Sequence, residues 1–166
     1  MALPPPETGL VIRYSYLWHD EKRRGQEEGS KDRPCAIVLA TKKQGAAAPT
    51  VVVAAVTHTP PHKDTPAIEI PAKVGKHLGL DDNRSWIITG EVNVFTWPGP
   101  DIRALPNQGK ERSFAYGYLP QKLAQSVIDS AKDQVRQRKA KVVGRDDPPK
   151  KDWAKKAGTV KSLKRT

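Results

Sequence analysis

Apolar positions along the chain fall mostly into short runs. Residues 9–18 (GLVIRYSYLW) are dense in β-branched and aromatic side chains, the composition of a strand. Residues 34–40 (PCAIVLA) and 50–57 (TVVVAAVT) are nearly unbroken apolar runs and predict buried strands. Pro34 is tolerated at a first strand position, where its missing donor matters least. Residues 67–70 alternate and predict a short strand, and 71–80 predict one helical turn with Val74 and Leu78 on one face. Residues 85–97 (SWIITGEVNVFTW) predict one strand with a bulge at Gly90. Between these, 19–33 (HDEKRRGQEEGSKDR), 41–49, 58–66 and 98–112 read as polar or Pro/Gly-rich loops. A helical stripe appears once, at Leu123, Val127, Ile128, Ala131 and Val135 within 120–139, with Pro120 suited to a first helical position. Short strands followed by one helix predict a mostly antiparallel small barrel or half-open sheet over 1–139, capped by a C-terminal helix.

Tyr14, Tyr16 and Trp18 alternate, so they share one face of the first strand. That face is a stacking surface for single-stranded nucleic acid, one wall of a barrel core, or a dimer contact.

Charge sharpens the picture. The 166 residues carry a net +11, of which 140–166 hold +6. With Pro148-Pro149 and few apolar residues, 140–166 predict a disordered basic tail that binds phosphate without sequence preference, or an inert solvated extension. The body is basic without it, so an anionic partner is expected either way. One cysteine excludes a disulfide framework and a cysteine-built zinc site. No apolar run approaches the roughly 20 residues that span a bilayer, so no membrane partner is expected. The first residues show no signal-peptide pattern, and a cytoplasmic location is expected.

Candidate chemistry concentrates at strand ends. Arg33 abuts the buried strand at Pro34, so its backbone should be fixed while its guanidinium is free for bidentate phosphate recognition. The alternative is a rim arginine paired with Asp32 or Glu28. Thr57 closes the strongest strand, where its hydroxyl can donate to a phosphate oxygen or simply fill space. His58 and His62 lie four apart, but Pro60 and Pro61 between them prevent helical spacing, so no metal or cofactor site is predicted. Cys35 reads as a small buried hydrophobe.

In order, Gly9-Leu-Val-Ile, a charged loop with Gly25-Gln-Glu27, Arg33-Pro34 before an apolar strand, and the strand ending Ala-Ala-Val-Thr57 resemble the MazF/PemK-like toxin family over residues 9–139. The resemblance implies an SH3-like barrel of the MazF/CcdB type, a homodimer, metal-independent cleavage of single-stranded RNA through a 2′,3′-cyclic phosphate, growth inhibition, and neutralisation by a cognate, acidic antitoxin. By position it implies that Arg33 stabilises the phosphorane, Thr57 holds a non-bridging oxygen and Glu27 is the base. Arg23, Arg24, Gln26, Lys31, His58, Glu91 and Asn93 are the accompanying substrate-binding candidates. Some relatives carry histidine where Gln26 stands, and arginine in the late strand where this chain reads Glu91-Val-Asn93-Val-Phe95. A non-catalytic module on the same barrel, binding nucleic acid or a protein such as gyrase, is the alternative.

Overall fold

The computed structural model describes residues 3–81, 83–106 and 113–146. Among them the chain forms β1 (Leu10–Tyr14), α1 (His19–Arg23), β2 (Arg33–Thr41), β3 (Thr50–Thr57), β4 (Ala67–Glu69), α2 (Ala72–His77), β5 (Trp86–Ile88), β6 (Glu91–Thr96), β7 (Ala115–Tyr118), α3 (Gln121–Arg136) and β8 (Lys141–Gly144). The strands run β4-β5-β3-β2-β1-β7, with β6 also on β3 and β8 on β6. Every pairing is antiparallel except β6–β8. The protein is thus mostly antiparallel sheet capped by a C-terminal-side helix, as the pattern predicted, with three helices in all.

The unbroken apolar runs of β2 and β3 follow from burial on both faces. On one face Cys35, Ile37, Val51, Val53 and Ala55 pack with Tyr14, Tyr16 and Phe95. On the other, Ala36, Val38, Ala54 and Val56 pack with Val127 and Ala131 of α3. Each buried aliphatic side chain of this kind contributes about 1.5–3 kcal/mol, so the β2–β3 pair is the rigid centre of the fold.

Several expectations are corrected. Residues 19–33 open with a helix, not a loop. Asp20 and Glu21 in its first turn and Lys22 and Arg23 in its last complement the backbone dipole. Glu21 Oε1 also accepts the Trp18 backbone N–H at 3.0 Å. Of the readings offered for the Tyr14 and Tyr16 face, the core wall holds: they are 0% and 1% exposed, and Tyr14 stacks on Phe95 with centroids 4.7 Å apart. The expected single strand over 85–97 is two, split at Thr89-Gly90. Residues 115–118, to which the pattern assigns no element, form β7 against the edge of β1. The basic tail does not begin at 140, because Lys141–Gly144 form β8 beside β6. Residues 147–166 lie outside the described residues.

Candidate functional site

β3 changes partner along its length. Thr50–Val53 pair with β6, and Val56 and Thr57 pair with β5. β5 and β6 are joined by Thr89-Gly90, and the Thr89 N–H donates to the Pro66 carbonyl at 2.9 Å. Gly90 is pressed so close to this wall that a Cβ would lie 3.0 Å from Pro66 Cδ. Where the two half-strands part, an open cleft of about 720 Å³ lies between the strand ends, the 58–66 loop and the corner joining α3 to β8.

Arg33, Thr57 and Glu91 all line this cleft. Their convergence is a matter of register. Cys35 pairs with Ala55, so extending β2 and β3 two places sets Arg33 opposite Thr57. The β3–β6 ladder ends at Val53–Asn93, which puts Glu91 two places on, on the same face.

Arg33 carries an uncompensated charge. Asp32 lies 3.7 Å from Arg13 and 3.8 Å from Arg103, and Glu28 lies 3.4 Å from Arg103. Those arginines therefore take both carboxylates expected to pair with Arg33, which forms no ion pair among the described residues. Its guanidinium stacks 5.2 Å over the Trp18 ring, and Nη1 donates to the Val56 carbonyl at 3.4 Å. Its buried Nε has no hydrogen-bond partner among the described residues. Thr57 Oγ1 accepts the Thr59 N–H at 3.1 Å, which fixes the oxygen and leaves its proton to donate.

Glu91 is held by the core. Its Oε2 accepts the His19 N–H at 2.9 Å and the Tyr16 hydroxyl at 3.3 Å. Burial raises its carboxyl above the ordinary 4.5, outweighing these hydrogen bonds and the neighbouring Lys141 cation, which act in the opposite direction.

The other candidates do not line the cleft. Arg23, Arg24, Glu27 and Lys31 are exposed along α1 and the segment after it. Gln26 Nε2 donates to the Glu28 carbonyl and to Ser30 Oγ. His58 turns to another cavity, between the Arg84 carbonyl at 3.0 Å and Asp81 at 2.9 Å, while His62 lines the cleft. Asn93 is corrected outright. It is 0% exposed and bonds the Leu17 backbone through both ends of its amide, at 3.0 and 2.8 Å, so it cannot meet a substrate.

Sequence reasoning missed Arg145. Its side chain is 3% exposed, pairs with Asp101 at 3.2 Å, donates to the Ser15 carbonyl at 2.6 Å and to Asn93 Oδ1 at 3.0 Å, and stacks on Tyr14. β6, which has no arginine of its own, is thus met by one from just past the end of β8, where it stabilises the core. The signal was thin: an arginine after Lys-Val-Val-Gly in a stretch dominated by charge. Lys139 and Lys141 of the cleft were missed for the same reason. Comparison with protein-family models, with curated proteins and with solved structures gives no match to this chain.

Proposed function

We propose that this chain is a metal-independent endoribonuclease that cuts single-stranded RNA, on an SH3-like barrel of the MazF/PemK-like toxin kind, acting as a homodimer and silenced by an acidic antitoxin. The observation that carries the reading is the meeting of an unpaired arginine, a hydroxyl and a desolvated carboxylate in one open cleft.

In this reading Arg33 and Thr57 grip the scissile phosphate. Glu91, rather than Glu27, accepts the ribose 2′-hydroxyl proton, since Glu91 shares the cleft and Glu27 does not. A carboxyl raised by burial is a stronger base than an ordinary one once ionised. The 2′-oxygen attacks phosphorus, and Arg33 stabilises the added negative charge. The bond to the 5′-oxygen breaks, and His62 on the proline-rich wall supplies the proton that the leaving oxygen takes. The products are a 2′,3′-cyclic phosphate and a free 5′-hydroxyl. Trp18 offers an apolar wall for a base.

Purified protein should cut single-stranded RNA in EDTA and leave those ends. R33A should fold and lose about 10²–10³ in kcat, the scale of removing one charge-stabilising donor. Intact RNA after exposure to folded, antitoxin-free protein would overturn the reading. A second reading, a non-catalytic binding module, is favoured by one feature: Arg33 already stacks on Trp18 and bonds Val56, which a structural arginine also does. Growth arrest on expression with RNA pools intact would select it.

A further inference from the structure

The cleft has a cationic wall that the ribonuclease reading leaves unused. α3 ends at Arg136 with Gln137 as its C-cap, and Arg138 follows with φ +58, in the left-handed region where glycine is usual. The Arg138 N–H donates to the Val135 carbonyl at 3.0 Å and the Lys139 N–H to the Gln134 carbonyl at 2.9 Å. These two bonds close the helix end and turn the chain sharply into β8. The turn delivers Gln134, Lys139 and Lys141 together to the cleft.

Two facts make this corner more than a solvated rim. Lys141 is in register with Glu91 across β6–β8, so it flanks the carboxylate that the chemistry uses. Neither Lys139 nor Lys141 closes an ion pair among the described residues, whereas Arg136 on the same turn pairs with Asp133 at 3.6 Å. Two cations are therefore left facing a cleft whose own carboxylates are Glu91 and Asp64. The cleft volume lies in the upper half of the range of about 300–1,000 Å³ usual for small-molecule sites, room for more than the scissile group alone.

We infer that the α3–β8 corner is a second phosphate subsite, in which Lys139 and Lys141 hold a phosphodiester neighbouring the one at Arg33. The inference rests on the reading of the cleft as an RNA site. It assigns the ligand class as a chain of at least two phosphates, not a mononucleotide. The corner holds the strand through charge, and base identity is left to other walls of the cleft.

The test is equilibrium binding of a short 2′-O-methyl single-stranded RNA, which cannot be cut, against a nucleoside 3′-monophosphate, each titrated with salt. K139A/K141A should bind the oligonucleotide about tenfold more weakly, with a salt slope shallower by about 1, and bind the mononucleotide as the parent does. K139R/K141R should restore both affinity and slope. R33A should weaken both ligands. If K139A/K141A binds the oligonucleotide with the parent's affinity and slope, the subsite is overturned and the Arg33 site stands. If the parent binds neither ligand, the RNA reading of the cleft falls and the subsite falls with it.

Discussion

Arg145 and Asp101 form a buried ion pair, with Nη2 3.2 Å from Oδ2, that ties β8 to the loop after β6. Burial raises the Asp101 carboxyl above its ordinary 3.8, and the Arg145 cation beside it works against that rise. Removing Arg145 strands a carboxylate in the core and empties the space over Tyr14. R145A should cost about 3–5 kcal/mol, the scale of breaking a buried pair by one partner. Chemical denaturation of R145A against the parent checks it. A loss within about 1 kcal/mol would mean the pair behaves as a surface bridge. A deletion meant to test the basic tail must therefore start after Asp146, since one starting at 140 removes β8 and unfolds the site.

Glu91 makes activity and stability respond to pH in opposite senses. Its folded carboxyl titrates above its unfolded value, so the native state binds that proton more tightly. Stability from this group falls as pH rises from the ordinary value through the raised one. Activity rises over the same window, because only the ionised form accepts a proton. The acid limb of kcat/KM should lie above pH 4.5. E91Q should lose that limb with most of the activity, yet match or exceed the parent's stability at pH 7, since the amide oxygen can still accept from His19 and Tyr16. An unchanged acid limb in E91Q would remove Glu91 from the chemistry.

Gly29 touches the backbone behind Trp18. A Cβ there would lie 2.0 Å from the Tyr16 carbonyl oxygen, a contact that backbone atoms cannot relieve by rotation. Gly29 N–H also donates to Ser15 Oγ at 3.1 Å. G29A should push the segment off Ser15-Tyr16 and cost about 1–3 kcal/mol, as overpacking does. G25A is the control: at φ +92 with nothing within 4 Å, it should cost about 1 kcal/mol from conformation alone. Thermal melts of both variants with Trp fluorescence of the 18 region separate the two effects.

Arg138 holds a left-handed conformation that costs a non-glycine residue about 1–2 kcal/mol. R138G should relieve most of this and raise Tm by roughly 2–4 °C, since the two hydrogen bonds closing α3 are backbone bonds and survive. A lower Tm would show that the Arg138 side chain contributes more than its backbone loses.

The fold was legible where burial is two-sided or periodic. β2 and β3 announced themselves as unbroken apolar runs because both faces are covered, and α3 because its stripe rests on one core. Arg33 and Thr57 were legible for the same reason, as the polar ends of those strands. What escaped was set by contacts distant in sequence. β7 is a strand because β1 offers an edge, and its Ala-Tyr-Gly-Tyr has little apolar content. β8 and Arg145 were hidden in a stretch whose charge reads as disorder. Tyr14, Tyr16 and Trp18 alternate equally well for a groove or a core, and only the covering strands decide between them. Asn93 looked like a polar strand residue free to bind, yet Leu17 claims it from 76 positions away.

The division of β3 between two neighbours has an engineering corollary. Arg33 and Thr57 are anchored to the most deeply packed pair of strands, while the wall facing them is the separate excursion from His58 to Pro66. That excursion can be exchanged for another of matching span if the replacement keeps a proton donor where His62 stands and the backbone N–H of Thr59 that fixes Thr57. What the cleft admits is therefore written largely in that excursion, while the phosphate grip of Arg33 and Thr57 is written in the strands, and selectivity can be regrafted around those two residues and the retained His62.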